Sequence, residues 1–343
     1  MKKFLLILGL LFFSFGVFCA WFIPRAWLGI REEDMKLAKF EAVEIGKDWD
    51  AGKVANVLAE KGIVDSVVGY RIYAAVDSSA RRSKPGTYRF LAPESYRFIA
   101  RSLALGPARE EVTLKVIEGW ALVDIGRMLA EQSVKAEDFV REVGEPLDNA
   151  ACAPNWRDEY PFLAELPASA SLEGYLFPDT YRVWKDQLPQ SLIKKQLDEF
   201  GERADKLSAE AKTQGRTLED VVILASIVQD EVRNKADMAT AAGIFMNRLN
   251  DGMPLQSDAT INYITKSGRD RSTATDLNID SPFNTYKYKG LTPAPISNPG
   301  DDALEAALHP AQTEYRYFLT DKEGKTYYAK TLEEHNQNKQ KAF

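Results

Sequence analysis

The sequence predicts an α+β protein with an N-terminal transmembrane helix, repeated strand–helix–helix modules and a mixed α/β domain. Three observations lead to this fold class: an uncharged N-terminal run, a strand–helix–helix pattern that occurs twice, and helical apolar periodicity in the C-terminal half. The 343 residues suffice for about two domains of ordinary size. We therefore expect separate folded parts behind a membrane anchor.

The N-terminal run is uncharged from Phe4 to Ile23 and follows two lysines. About 20 helical residues span the roughly 30 Å hydrocarbon layer, and Trp21 and Trp27 stand where an aromatic belt is expected. A cleaved signal peptide is the alternative, but it requires small residues before the cut, and Phe18-Cys19-Ala20 includes a bulky phenylalanine. We expect an uncleaved anchor with its N-terminus inside.

Two similar strand–helix–helix units follow the anchor. Their strands are predicted at Phe40 to Ile45 and at Val112 to Ile117, and each precedes an amphipathic helix. The junction Leu58-Ala59-Glu60-Lys61-Gly62-Ile63 resembles Leu129-Ala130-Glu131-Gln132-Ser133-Val134, 71 positions later. Short units of this type are often carbohydrate-recognition modules, and a purely structural repeat is the alternative. Between the units, Lys84 to Phe90 is typical of a turn that leads into a strand.

The expected domain organisation follows these patterns. In chain order we predict a cytoplasmic tip and anchor at 1–24, a juxtamembrane linker at 25–38, the repeated modules at 39–148, a proline-containing connecting segment at 149–187, and a C-terminal domain at 188–343.

Composition excludes several classes of protein. The formal net charge of −6 gives no basic footprint for nucleic acid. Cys19 lies in the apolar run, which leaves Cys152 without an intrachain disulfide partner. His309 and His335 have no zinc-site spacing to either cysteine, and no G-x-S-x-G elbow of a serine hydrolase occurs. We predict no metal and no cofactor.

The helix that begins near Thr217 carries an unusual carboxylate. Leu224, Ile227 and Val228 form an apolar stripe, and the next position on that face is Glu231. A carboxylate held against apolar side chains loses solvation of its charged form, so its pKa rises and it can donate a proton near neutral pH. The alternative is a half-solvated glutamate at a helix end, paired with Arg233 or Arg248.

Polar segments rich in turn residues follow this helix. They are Leu255 to Thr260, Asn284 to Tyr286 and Pro293 to Gly300. Amides, hydroxyls and aromatic faces suit sugar recognition, although loops are usually polar in any protein.

The sequence resembles the MltG (YceG-like) family of endolytic murein transglycosylases. The matching blocks occur in the family's order along most of the chain: Gly86-Thr87-Tyr88, Glu118-Gly119, Glu173 to Tyr181, Leu224 to Glu231, Phe245 to Leu249, Gly252 to Asp258, Asn284-Thr285-Tyr286, Asn298-Pro299-Gly300 and His309-Pro310.

This resemblance implies a single-pass protein of the cytoplasmic (inner) membrane with most of its chain on the periplasmic or extracellular side. It implies LysM-like modules followed by a catalytic domain that cleaves the MurNAc–GlcNAc bond in nascent peptidoglycan. The products would carry 1,6-anhydro-MurNAc ends, and cleavage would terminate glycan elongation. Cell-wall synthases are the partners that the family implies. A non-catalytic peptidoglycan-binding scaffold and a hydrolase are the alternatives.

The resemblance also assigns residue roles. The family's catalytic glutamate falls on Glu231, and Asp258 is expected to orient or hydrogen-bond the sugar. The substrate-binding candidates are Asn247, Gln256, Ser257, Asp258, Thr260, Asn284, Thr285 and Tyr286. The alternative for each is a structural role in a turn, a loop or a helix contact. Glu118 and Glu173 are expected to be structural or to lie at domain contacts.

The chain departs from the family pattern at three positions. Ala259 stands where proline is frequent, Ala294 where glycine is common, and Gln229 where some members have an acidic residue. The first two departures put the shape of the substrate loops in doubt.

Overall fold

The computed structural model describes residues 14–23, 26, 39–145, 147, 151–232, 234–266, 272–321 and 324–342. Within these residues the fold mixes many helices with three two-stranded antiparallel sheets. The chain divides into two compact units, Met1–Arg109 and Glu110–Phe343, each with its own apolar core. The mixed helix-and-strand class predicted from the sequence is confirmed.

The first unit has a strand–helix–helix–strand order with flanking helices. Its elements are α1 (residues 14–23), β1 (Lys39–Ile45), α2 (Ala51–Glu60), α3 (Val67–Val76), a 3-10 turn (Ser78–Arg81), β2 (Gly86–Ala92) and α4 (Tyr96–Leu105). The two strands pair antiparallel, with Val43 opposite Tyr88. Inward-facing strand residues alternate with exposed ones, so one face of this small sheet covers the helices.

Helix α1 presents mostly exposed apolar side chains. Phe15 and Ile23 are more than half exposed, whereas Phe22 packs on the core of the first unit with its ring centroid 6.4 Å from that of Tyr96. In the part of the chain that the structure describes, no helix is both long and apolar enough to cross a membrane. Residues 4–13 of the predicted anchor, and Trp27, lie outside that part.

The second unit contains the remaining elements. They are β3 (Glu111–Lys115), α5 (Leu122–Glu131), α6 (Ala136–Val143), α7 (Pro154–Glu159), α8 (Pro161–Ala164), β4 (Thr180–Trp184), a 3-10 turn (Lys185–Gln187), α9 (Gln190–Thr213), α10 (Leu218–Glu231), α11 (Lys235–Asn250), α12 (Asp258–Thr265), a 3-10 turn (Asp276–Asn278), α13 (Asp301–Leu308), β5 (Tyr317–Thr320), β6 (Thr326–Ala329) and α14 (Leu332–Ala342).

The second strand–helix–helix repeat belongs to this larger unit. Strand β3 pairs antiparallel with β4, so that Leu114 lies opposite Tyr181, after a long intervening segment. Both repeats are therefore closed by a further strand. The boundary between the two compact units lies between Arg109 and Glu110 in the sequence, inside the 39–148 range that the sequence pattern grouped together.

Helix α10 forms the centre of the second unit. Its N-terminus is a capping box, because Thr217 Oγ1 accepts from the Asp220 N–H (3.0 Å) and Asp220 Oδ2 accepts from the Thr217 N–H (2.8 Å). Helices α9, α11, α12 and α13 all pack on it. Every residue from Val221 to Val228 is buried, so this helix has an apolar surface all round rather than a single stripe.

Candidate active site

Glu231 is the last residue of the buried helix α10. Its Oε1 atom accepts hydrogen bonds from the Ser257 hydroxyl (2.5 Å) and from the Ala259 N–H (3.2 Å). The side chain is half-buried at the wall of a cavity. A carboxyl group is thus brought to the end of an apolar helix, with two donors directed at one of its oxygens.

The electrostatic surroundings of Glu231 favour its neutral form. Burial is the largest influence and raises the pKa of its carboxyl, the hydrogen bonds from Ser257 and Ala259 oppose this shift, and the nearby charge of Asp258 adds to it. The Arg248 guanidinium is held instead by the carbonyl oxygens of Arg316 (2.6 Å) and Leu255 (2.7 Å). This geometry contradicts a Glu231–Arg248 pair, and Arg233 lies outside the described residues.

The cavity beside Glu231 has a volume of about 940 Å³. Its walls come from the start of α5, the end of α10, helix α12 and the β5–β6 hairpin, all within the second unit. Ligand cavities for molecules of a few rings usually fall between about 300 and 1,000 Å³. Asp124, Asp230, Asp258 and Asp321 make the lining polar, and Arg127 and Lys266 add positive charge.

The loop before α12 positions the Ser257 hydroxyl. Gln256 adopts a left-handed backbone conformation (φ 51°), which turns the chain toward α10. The Ser257 N–H donates to Thr285 Oγ1 (3.0 Å), and the Thr260 hydroxyl donates to the Ser257 carbonyl (2.8 Å). Ser257 is 2% exposed, so its hydroxyl has little freedom to turn away from Glu231.

Asp258, the first residue of α12, is another carboxylate that lines the cavity beside Glu231. Its Oδ1 atom accepts from the Tyr286 hydroxyl (2.9 Å). Burial and the charge of Asp258 raise the pKa of the Tyr286 phenol, so Tyr286 acts as a donor to the carboxylate. The hydrogen bond from Tyr286 fixes Oδ1 of Asp258, and the other carboxylate oxygen is available to a ligand in the cavity.

The remaining predicted substrate residues lie in the framework of the site. Thr260, Asn284 and Thr285 are almost fully buried, and Asn284 Nδ2 donates to the carbonyl oxygens of Leu277 and Ile279. Asn247 Nδ2 donates to Thr313 and Tyr315 carbonyls, away from the cavity lining. Gln256 is exposed. Of the eight candidates, Asp258 lines the cavity and Ser257 contacts Glu231.

Comparisons with known proteins agree on one family. A sequence profile described as the YceG-like family matches residues 43–341. This chain belongs to the YceG-like family. The resemblance inferred from the sequence blocks is confirmed.

Two relatives with a named activity and one crystal structure are similar to this chain. The chain is 31% identical over 305 residues to an "endolytic murein transglycosylase" of Bacillus subtilis, across 87% of this chain and 84% of the relative. A protein of that name from Streptococcus pneumoniae is 32% identical over 329 residues, which span 89% of this chain and 59% of the longer relative. The crystal structure of a putative YceG-like protein of Listeria monocytogenes matches with a TM-score of 0.58 and 28% identity, covering 88% of this chain and 99% of that one.

In this YceG-like chain three distant sequence blocks meet at Asn298. Its Oδ1 atom accepts from the N–H groups of Gly174 (3.0 Å) and Leu176 (2.9 Å), and its Nδ2 donates to Trp120 O (2.8 Å) and to Glu173 Oε1 (3.2 Å). Asn298 is fully buried, so these bonds are shielded from water. Asn298 thus joins the blocks around Glu118-Gly119, Glu173-Gly174 and Asn298-Gly300, and Gly119 of the first block lines the cavity.

Two acidic residues near the cavity were not among the predicted site residues. Glu173, which is 2% exposed, accepts from the Leu122 N–H (3.0 Å) and from the Tyr263 hydroxyl (3.3 Å), and Tyr263 lines the cavity. Burial raises the pKa of Glu173 to about 8. Asp230 also lines the cavity beside Glu231. Both residues lie in sequence blocks that match the family, and this match was the signal that could have pointed to them. The sequence alone does not show how close either residue lies to Glu231.

Proposed function

We propose that this chain is an endolytic lytic transglycosylase of peptidoglycan, with Glu231 as its acid and base. The observation that carries the proposal is a half-buried glutamate of raised pKa at the wall of a polar cavity of about 940 Å³. The names of the Bacillus and Streptococcus relatives support the same substrate class.

The first chemical step uses the neutral form of Glu231. The carboxyl donates its proton to the oxygen that bridges MurNAc and GlcNAc, and the bond from that oxygen to the anomeric carbon breaks. The electron pair leaves with the GlcNAc hydroxyl, and positive charge develops at the anomeric carbon. The Ser257 hydroxyl and the Ala259 N–H then stabilise the Glu231 carboxylate that this step creates.

The second step returns the proton to Glu231. The C6 hydroxyl of the same MurNAc attacks the anomeric carbon, and the Glu231 carboxylate takes up the hydroxyl proton. The product is a 1,6-anhydro end, and no water is consumed. One carboxyl therefore serves as acid and then as base, which differs from the paired carboxylates of most glycoside hydrolases.

Asp258 is proposed to bind and orient the sugar. Tyr286 fixes one of its oxygens at 2.9 Å, and the carboxylate faces the cavity next to the Ala259 N–H that contacts Glu231. A carboxylate so placed accepts hydrogen bonds from sugar hydroxyls.

We also propose the location of the enzyme and the character of its first unit. The uncharged run that ends with the exposed apolar face of α1 supports a single-pass anchor in the cytoplasmic membrane, with both units outside the cytoplasm. The strand–helix–helix–strand order of β1, α2, α3 and β2 supports a LysM-like module. Partnership with cell-wall synthases and termination of glycan elongation follow as proposals from the family.

The test uses the purified full chain and peptidoglycan glycan strands. Glu231→Gln keeps the shape of the side chain but removes the transferable proton, so we expect cleavage to fall by about 10²-fold to 10⁴-fold. Glu219→Gln is the matched control, because Glu219 is a half-buried glutamate in the first turn of the same helix and lies outside the cavity lining. Full activity of Glu231→Gln would refute the proposed role.

A further inference from the structure

A second cavity of about 640 Å³ lies next to the candidate active site. The two cavities share Gly119 and Asp230 as lining residues, so they form adjoining parts of one surface depression in the second unit. Asp230 directly precedes the proposed acid Glu231. A linear polymer bound across Glu231 can therefore continue into the second cavity.

The lining of the second cavity combines apolar and polar groups in the way that sugar sites do. Ile117 is 47% exposed and Trp120 is half-buried, so both apolar side chains are open to a ligand. Lys115, Glu118 and Asp230 surround them with charged groups. An aromatic ring can cover the apolar face of a sugar, and carboxylates can accept from its hydroxyls.

The turn that carries these side chains is held firmly. The Trp120 carbonyl accepts from both the backbone N–H (2.9 Å) and the Nδ2 (2.8 Å) of Asn298, and the Gly119 N–H donates to the Asn298 carbonyl (2.9 Å). Gly119 has φ 81°, and a Cβ there would lie 2.9 Å from Asp230 Oδ1. A glycine at this point lets the turn approach the Asp230 carboxyl closely.

Asp230 lies where the two cavities adjoin and lines both of them. Its Oδ1 atom accepts from the Ser297 hydroxyl (3.1 Å). The Asp230 side chain is exposed at the point where the two cavities adjoin. Its carboxyl group can therefore hydrogen-bond to the hydroxyls of a sugar that passes from one cavity into the other.

We propose that the second cavity is a further sugar-binding subsite, in which an N-acetylated sugar of the same glycan strand packs on Trp120 and Ile117. This inference rests on the proposed function, because it places a second part of the same substrate. It predicts that affinity for long strands depends on residues that do not contact the bond being cleaved.

The test measures binding separately from cleavage. The full chain with Glu231→Gln, purified in detergent, is titrated calorimetrically with a chitin pentasaccharide, a chain of N-acetylglucosamine. We expect Trp120→Ala to weaken binding by about fivefold or more, because ring packing of this kind contributes about 1 kcal/mol, whereas Trp120→Phe retains most of the affinity. In the active protein, Trp120→Ala should raise KM for glycan strands more than it lowers kcat.

Two further variants make the result decisive. Trp184→Ala is the matched control, since Trp184 is a 40% exposed tryptophan of β4 that lies outside both cavity linings. The affinity of this variant for the pentasaccharide should equal that of the protein without the Trp184 substitution. Ile117→Thr keeps the β-branched shape at an exposed position and should also weaken binding, even if Trp120→Ala fails to fold.

The possible outcomes distinguish the two proposals. Wild-type affinity and KM in folded Trp120→Ala, or in Ile117→Thr if the former does not fold, would overturn the subsite. That result would leave the role of Glu231 intact if Glu231→Gln still abolishes cleavage. Full cleavage by Glu231→Gln would refute the proposed role of Glu231, and absence of cleavage by the wild type would refute the proposed function, whatever the binding data show.

Discussion

Ser257 contacts Oε1 of Glu231, the carboxyl oxygen that also accepts from the Ala259 N–H. Its hydroxyl, 2.5 Å from Oε1, stabilises the carboxylate and so limits how far burial raises the pKa of Glu231. An acid that must also act as a base needs both forms within reach of the working pH. At the scale of single residues, the balance between burial and the Ser257 hydrogen bond determines the pH range in which Glu231 can take both forms.

Replacing Ser257 by alanine should therefore raise the pKa of Glu231. The Ser257 hydrogen bond opposes the effect of burial, so its loss leaves burial to raise the pKa of Glu231 further. The neutral acid would persist to higher pH, so the alkaline limb of the kcat/KM profile should move to higher pH. The measurement is the rate of strand cleavage from pH 5 to 9.

Ser208→Ala provides the control for this shift, because Ser208 lies on α9 outside both cavity linings. Its pH profile should superimpose on that of the wild type. An unchanged alkaline limb in Ser257→Ala would contradict the proposed balance.

At the scale of elements, α10 carries Glu231 and is fixed by a cap at its N-terminus and by packing along its middle. The capping box at Thr217 and Asp220 begins the helix, and its buried middle packs against four other helices. The segment at Gly174 packs against this middle, with its backbone close to Val222. The position of the acid thus depends on contacts that lie far from it in the sequence.

Gly174→Ala should be severely destabilising. Gly174 has φ 89°, and a Cβ there would lie 2.5 Å from Pro295 and 2.8 Å from Val222. Overpacking together with backbone strain should cost about 2 kcal/mol or more in the free energy of unfolding. Chemical denaturation followed by circular dichroism measures the difference.

Gly215→Ala separates the two causes. Gly215 also has a positive φ (71°), but a Cβ there would meet open space. It should therefore cost only about 1 kcal/mol, from backbone strain alone. Equal effects of the two substitutions would show that packing at Gly174 does not matter.

Thr217→Ala tests the start of α10. Removing the side chain that caps the helix should lower the free energy of unfolding by about 1 kcal/mol. Activity per folded molecule should not change, since Thr217 is exposed at the end of the helix opposite to Glu231. Thr213→Ala, an exposed threonine in the last turn of α9, should have a much smaller effect on denaturation; equal losses would argue against the cap.

At the scale of the whole molecule, the sequence predicted only part of the structure of each compact unit. Local signals predicted the start of α10 near Thr217 and the position of Glu231 on an apolar face of that helix, because both depend on neighbours within one or two turns. The pairing of β3 with β4 was not predicted, since its partners are separated by a long segment and register depends on tertiary packing. The hydrogen bonds from Asn298 to Trp120, Glu173 and Gly174 were not predicted for the same reason, since these residues are far apart in the sequence.

The burial of Glu173 should make the stability of the second unit depend on pH. Burial raises the pKa of Glu173 from the ordinary 4.5 to about 8, so between these values the folded protein holds a proton that the unfolded chain releases. Stability should therefore fall as pH rises from about 5 to 8. Glu173→Gln, which stays neutral, should flatten this fall when urea midpoints are compared across that range. Parallel curves for the two proteins would rule out a buried neutral Glu173.

The most direct test of the central claim is strand cleavage in water enriched in oxygen-18, with wild type and Glu231→Gln side by side. Attack by the MurNAc C6 hydroxyl consumes no water, so the account predicts wild-type products that carry no label and lack the mass of one water relative to hydrolysis products. Glu231→Gln should yield almost no product. Labelled reducing ends from the wild type, or unlabelled anhydro ends in undiminished amount from Glu231→Gln, would contradict it.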